Sequence, residues 1–453
     1  MSISLNFNSA TGTSSGTGLG AGIDVTAVVQ QILNADRSPE TLWKSEQSTL
    51  NVQTTSWNNL NTNIKSLLDK IHGLADVLGV FTTRTATSSQ PNVVSASADA
   101  SAAIGNHVIT VGNLATTSSY YTGPLASSST TFTTGSFNLQ VGSNSPVTIT
   151  VDSTNNTLDS LAAYLNAQHL GVAASVVNDA TGARLALVSQ STGQPGDLAI
   201  SANTTGLSFT KSASGTNAAL TIDGVPISSA SNTVTGALAG VTLHLTGIST
   251  TPVQLSIGQD TNGVKQAIND FVSSYNAVIS AINLQFKVDP NTYTAGELAS
   301  DSALRSVQTS LLKDITYSVS DNNGFVNLAS MGIDMQNDGT LTVNDAKLSD
   351  ALANHVSSIQ NFFQSVSPIG FGSNFSTDLT QMTSSQGLIQ MDLKQIAQAQ
   401  NTLTDQINAL EDRLAIKETL LIKQYSQVNA ALQQFPLLME QITGQLSILT
   451  KSA

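Results

Sequence analysis

Over roughly the last sixty positions of the chain, apolar residues recur at alternating three- and four-residue steps. The series runs Ile389, Leu393, Ile396, Leu403, Ile407, Leu410, Leu414, Leu421, Tyr425, Val428, Leu432, Phe435, Met439, Ile442, Leu446 and Leu449. It is broken only at Gln400, at Lys417 and by a one-residue slip before Tyr425. This spacing predicts a coiled-coil seam on one long helix. A lone helix leaves such a stripe in water, so the seam requires partner helices from this chain or from another. Assembly, rather than catalysis, is the expectation that follows.

A shorter stripe stands near the start. Asp24 is placed to cap a helix whose face carries Val25, Val28, Val29, Ile32 and Leu33, with Pro39 marking its stop. A longer helix follows on Trp43, Leu50, Trp57, Leu60, Ile64, Leu67, Ile71, Leu74 and Leu78. Gln47 and Thr54 interrupt its stripe, and Gly79 is the expected left-handed end.

From Phe81 the period falls to two, as on strands. After a strand at residues 108–111, Phe137, Leu139 and Val141 face Val147, Ile149 and Val151 across a Gly-Ser-Asn-Ser-Pro turn. Leu220 and Ile222 face Val225 and Ile227 across Asp223-Gly224, a strong hairpin signature. Between them Leu158, Leu161, Ala162 and Leu165 share one helical face, followed by strands at Val172, Ala174, Val176 and at Leu185, Leu187. Val241, Leu243, Leu245 and Val253, Leu255, Ile257 close the β-rich stretch. Helical rhythm returns at Val264, Ile268, Phe271, Tyr275, Val278 and Ile282 and ends by Asp289-Pro290. A helix over 304–315, a hairpin turning on Asn337-Asp338-Gly339, and a helix capped by Asp345 and running through Phe362 complete the middle.

The predicted fold class is therefore α+β: a coiled-coil-like helical stalk from paired N- and C-terminal segments, enclosing inserted β-rich head domains. Residues 41–80 and 260–429 form the helical core with its small hairpin. Residues 81–125 and 205–259 form one β-rich head domain, and 126–204 a second with ββαββ order; whether the two are nested or serial stays open. Segments 1–40 and 430–453 are expected to be disordered in the monomer and helical on assembly, because Ser/Gly-rich sequence and unpartnered stripes do not offset ordering entropy alone.

Composition narrows the function. Charged residues make up 10% of 453, against roughly a quarter in ordinary proteins. Seventeen basic and thirty acidic residues give a net charge of −13, which disfavours nucleic acid and anionic lipid. Cysteine is absent, which excludes disulfides and thiolate chemistry. No run approaches the ~20 apolar residues of a membrane helix. The first basic residue is Arg37 and Ser/Gly-rich sequence fills residues 9–20, so no cleaved signal peptide is expected.

Several stretches resemble the bacterial flagellar filament cap family, also called hook-associated protein 2. Gly22-Ile23-Asp24-Val25 through Ile32-Leu33, with Asp36-Arg37 and Pro39, is similar to its opening helix. Residues 81–86, 94–97 and 105–111 resemble its passage into the β region, and 156–188 the ββαββ insertion shared among flagellar axial proteins. Residues 221–227, 240–245 and 265–282 resemble its return to the helical core. Leu410-Glu411, Arg413-Leu414, Lys417-Glu418, Leu421 and Gln424-Tyr425 resemble its closing helix. Two departures stand out: the long Ser/Gly tail before Gly22, and Pro436 inside the last heptads, where a helix loses a hydrogen bond.

The resemblance implies export through the flagellar type III machinery with its chaperone, and an extracellular ring, usually a pentamer, at the filament tip. There it would guide flagellin subunits into place, its terminal helices plugged into the filament and its β domains forming the outer plate. Flagellin or a hook–filament junction protein is the alternative within the flagellum; a secreted adhesin acting through the head is the alternative from another class.

Chemical motifs are weak. Gly12-Thr13-Ser14-Ser15-Gly16 matches a nucleophile elbow in letters, and Gly16-Thr17-Gly18 with Ala21 faintly imitates a dinucleotide loop, yet both lie in the Ser/Gly tail. Asp334, Gln336, Asp338, Gly339 and Asp345 imitate a calcium loop but lack the final Glu, and a plain Asp-Gly hairpin is favoured. His72, His107, His169, His244 and His355 show no ligand spacing. No catalytic residue, cofactor or metal is expected. The candidate partner-binding residues are Val25, Val28, Val29, Ile32, Leu33, Leu410, Leu414, Leu421, Tyr425, Val428, Leu432, Leu446 and Leu449, all on the terminal stripes.

Overall fold

The computed structural model describes residues 24–451 apart from 250, 321, 367 and 368. The Ser/Gly tail, both glycine motifs within it and the side chain of Leu449 lie outside the described residues. The chain opens with helices α1 (Val25–Asp36) and α2 (Ser38–Ala75). Asp24 caps α1 by accepting from the Ala27 N–H at 3.0 Å. Pro39 does not stop α1; it sits in the first turn of α2, where its missing N–H has no partner to lose. Nor does Gly79 end α2 in a left-handed turn: the helix gives way to extended backbone at Asp76, and Leu78, expected on the buried stripe, is 83% exposed.

The β head follows in chain order: β1 (Arg84–Ser88), β2 (Val94–Ala98), β3 (Gly105–Asn113), β4 (Thr117–Thr122), β5 (Gly135–Val141), β6 (Val147–Val151), helix α3 (Leu158–Ala167), β7 (Val172–Asp179), β8 (Gly182–Thr192), β9 (Leu198–Ser201), β10 (Phe209–Ala213), β11 (Ala218–Ile222), β12 (Val225–Ser229), β13 (Thr233–Leu238), β14 (Val241–Leu245) and β15 (Val253–Gln259). Sheet β1-β15-β3-β11-β12 faces sheet β13-β14-β2 across one apolar cluster that includes Ile109, Val111, Leu220, Val241, Leu243 and Leu255. Strands β14 and β15 bury alternate residues, as the period of two requires. The Asp223-Gly224 turn has φ of 51° and 83°, the positive pair that a two-residue hairpin loop needs. Asp223 also accepts from Val108 N–H at 2.8 Å and faces His107 Nδ1 at 2.7 Å.

The second β module is nested, not serial: the chain leaves the sandwich after β3 and returns at β11. Sheets β10-β4-β8-β7 and β6-β5-β9 enclose α3 around Phe137, Leu139, Leu161, Leu165 and Leu187. This core also takes in Tyr120, Leu125, Leu207 and Phe209, so β4 and β10 belong to the insert and its edges lie outside the expected 126–204. The ββαββ order runs from β5 to β8, wider than the residues that suggested it. Thr192 Oγ1 donates to Ala230 C=O at 2.6 Å and Gln194 N–H to Asn217 Oδ1 at 2.7 Å, tying insert to sandwich. Between them Gly193 has φ 79°, and a Cβ there would lie 2.6 Å from Ala230 Cα.

Helices α4 (Thr261–Phe286) and α5 (Ser302–Ile315), hairpin strands β16 (Ile333–Met335) and β17 (Leu341–Val343), then α6 (Asp345–Gln364), α7 (Phe371–Thr383) and α8 (Leu388–Lys451) return to the helical base. Its core combines α2, α4, α5, α6, α7 and the start of α8. Phe371 sits against four other rings, stacked on Phe362 and Phe375 at 5.2 and 5.4 Å and edge-on to Phe271 and Phe363. Asn344, not Asp345, caps α6; Asp345 instead pairs with Lys265 Nζ at 2.6 Å. In the hairpin, Asp338 is occupied by Thr340, accepting from its N–H at 2.9 Å and its hydroxyl at 2.6 Å. Among the described residues no helix is long and apolar enough to cross a membrane.

Candidate assembly surface on the stalk

The two terminal stripes meet. Val29 and Leu33 of α1 are buried against Leu410 and Leu414 of α8, each 1–3% exposed, with Val25, Trp43, Leu421 and Tyr425 packed around them. Val28 and Ile32 flank this cluster, half-buried. Residues 25–36 are thus helical within the single chain, contrary to the unstructured state expected for 1–40, because α8 of the same molecule covers their apolar face. The helices run antiparallel: partners descend α8 as they climb α1 and α2, from Gln30–Glu418 through Arg37–Glu411 and Gln47–Thr404 to Asn51–Gln400.

Polar side chains set that register. Arg37 donates side-on to Glu411, Nε to Oε1 at 3.2 Å and a terminal nitrogen to Oε2 at 3.0 Å, the bidentate geometry a guanidinium favours. This contact holds the Glu411 carboxyl below the usual glutamate range and the Arg37 guanidinium above its own. Buried Glu40 pairs with Lys44 one turn on, with Arg37 Nε 3.6 Å from its other oxygen. Both polar breaks in the seam have a purpose: Gln400 donates to Asn51 Oδ1 at 2.9 Å, and Lys417 pairs with Asp36 at 2.6 Å. None of these charged residues stood among the expected partner-binding residues. Their signal was clustering of charge in a chain that has little of it.

The apolar contact with α1 reaches as far as Tyr425, and α8 continues past it. It passes through Pro436 as one helix to Lys451. Val428 is 48% exposed, Leu432 half-buried, and Phe435, Leu437, Leu438, Met439, Ile442 and Leu446 are all exposed. Over 430–451, where disorder was expected in the monomer, the structure describes a helical extension reaching roughly 40 Å past Tyr425 at about 1.5 Å per residue. Of the thirteen candidate residues, Val25, Val29 and Leu33 lie with Leu410, Leu414, Leu421 and Tyr425 in one intramolecular contact, Val28 and Ile32 are half-buried on α1, and Val428, Leu432 and Leu446 lie on the extension, the side chain of Leu449 being outside the described residues.

A helical base, an antiparallel stalk whose far end exposes apolar side chains, and an inserted β head that itself carries a nested module define an α+β architecture flanked by terminal helices. Residues 21–118 match the model for the flagellar hook-associated protein 2 N-terminus, residues 215–436 that for its C-terminus, and residues 136–191 the flagellin hook IN motif. The chain belongs to the flagellar hook-associated protein 2 family. It is 28% identical to the B-type flagellar hook-associated protein 2 of Pseudomonas aeruginosa, covering 94% of this chain and 96% of that one. The Escherichia coli K12 flagellar hook-associated protein 2 is 26% identical over 90% of this chain and 93% of its own. The crystal structure of the D1-D2-D3 domains of the Escherichia coli flagellar cap protein FliD superposes with a TM-score of 0.56 at 27% identity, over 75% of this chain and 99% of that one.

Proposed function

We propose that this chain is the structural cap at the distal tip of a bacterial flagellar filament, where copies form a ring, a pentamer, that promotes insertion of exported flagellin. The observation that carries this reading is the uncovered end of α8, whose exposed Phe435, Met439 and Ile442 lie on a stalk already folded without them. Apolar surface at the end of a helix is covered by other helices in a finished assembly. In this reading the extension seats among neighbouring copies and filament subunits, while the sandwich and its insert form the outer plate. Export proceeds through the flagellar type III machinery and its chaperone to the outside of the cell, without signal cleavage. Full-length relatives named as hook-associated protein 2 favour a cap over flagellin, a junction protein or an adhesin.

The test is complementation. A strain lacking the gene should release unpolymerised flagellin into the medium, and the full chain should restore filaments. A chain ending at Tyr425 should be exported and folded yet leave flagellin in the medium; full restoration by that shortened chain would refute the reading.

A further inference from the structure

The chain has no cysteine, so its six methionines carry all its sulfur and are the side chains that a mild two-electron oxidant attacks first. Burial divides them. Met331 and Met382 lie in the core of the base at 0% and 7% exposure, whereas Met335, Met391 and Met439 are 47%, 50% and 58% exposed. Met335 is on the hairpin strand β16, and Met391 falls between the seam positions Ile389 and Leu393. Among the described methionines only Met439 stands on the apolar stripe of the α8 extension, one turn from Phe435 and from Ile442. A thioether packs there as an apolar side chain, but its sulfoxide is polar, with an oxygen that needs a donor when covered. The neighbours three and four residues away are Phe435, Pro436, Ile442 and Thr443, and of these only Thr443 has a side-chain donor. That hydroxyl already donates to the Met439 carbonyl at 2.6 Å.

We propose that Met439 is an oxidation site that disables the extension: a peroxide turns an apolar contact residue into a polar one before other helices cover it. The inference rests on the assembly role given to the extension above. In the step, a sulfur lone pair attacks one peroxide oxygen, the S–O bond forms and the O–O bond breaks. The departing hydroxide takes the proton left on the transferred oxygen and leaves as water. Sulfur is oxidised by two electrons and the peroxide is reduced by two. Once a helix covers it, the sulfoxide oxygen is an acceptor without a donor, which weakens the contact by roughly tenfold or more. The same change at Met335 or Met391 leaves the stripe of the extension untouched.

The experiment treats the purified full chain, Met439→Leu and Met439→Ile with hydrogen peroxide and maps the added oxygen by peptide mass. Each protein, treated and untreated, is then supplied to cells that lack the gene, and flagellin in the medium is measured. In the parent, Met439 should gain oxygen well ahead of Met331 and Met382, and treatment should cut filament restoration by roughly tenfold or more. In each variant, which keeps Met335 and Met391 exposed, the ratio of treated to untreated restoration should stay near unity, whatever its starting level. Oxidation of Met439 no faster than that of the buried methionines, or a parent ratio equal to the variants', overturns the proposal. If neither untreated variant restores filaments, apolar character is not what the contact needs, and the proposal falls. An untreated parent that restores nothing refutes the cap reading and this proposal with it, so the untreated arm tells the two failures apart.

Discussion

Lys417 Nζ lies 2.6 Å from Asp36 Oδ2, so the cation that interrupts the seam of α8 meets the last residue of α1. Both side chains are about two-fifths exposed, and pairs in such surroundings contribute under about 1 kcal/mol. Lys417→Ala should raise amide exchange in α1 by no more than about fivefold. Leu414→Ala removes a buried side chain from the same contact and costs about 2 kcal/mol or more, so α1 exchange rises by ~30-fold or beyond. Equal effects from the two variants would mean that charge, not packing, seats α1.

Phe371 is fully buried among four rings, and Phe371→Ala should cost about 3–5 kcal/mol through lost area and the cavity left behind. The head has its own apolar clusters, so calorimetry should show the base melting earlier while the head transition stays in place.

Phe435 and Met439 are 60% and 58% exposed, and replacing both with Ser should change the stability of the isolated chain by no more than about 0.5 kcal/mol per site. Swimming motility should nevertheless fall, with flagellin accumulating in the medium. Undiminished motility would remove the role assigned to the extension.

Gly193→Ala places a methyl 2.6 Å from Ala230 backbone at a positive φ. Strain of this kind costs on the order of 1–3 kcal/mol, and the backbone must move to relieve it. Limited proteolysis should cut at the insert–sandwich junction faster in the variant, with the internal core of the insert remaining resistant.

Periodicity exposed most of the elements because most are amphipathic: the seam of α8, the alternation of β14 and β15, and the Asp-Gly hairpin each carry their own signal. Helix α7 carries almost none. Its sequence is rich in Gly, Ser, Thr and Asn, poor helix formers, and it is held by burial of Phe371, Phe375, Leu379 and Met382 rather than by propensity. The edges of the insert were misplaced for a related reason, since β4 and β10 are polar strands whose membership is decided by pairing with β8 and with each other. On the stalk the stripes were legible but their partner was not. A pattern says that Val29 and Leu33 need cover; only the antiparallel return of α8 says that Leu410 and Leu414 of the same molecule supply it. The charged contacts at Arg37 and Asp36 depend on register, which no single segment encodes.

Thr116 and Thr216, at the two crossings into and out of the insert, are joined by an N–H to C=O bond of 2.9 Å and a hydroxyl contact of 2.8 Å. Entry and exit are therefore neighbours, and the roughly one hundred residues between them form a cassette clipped onto an otherwise continuous sandwich. Such a cassette can lengthen, shrink or be traded for another without redesign of the sandwich that carries it or of the helical base and stalk, which frees one part of the chain to diverge while the rest stays fixed.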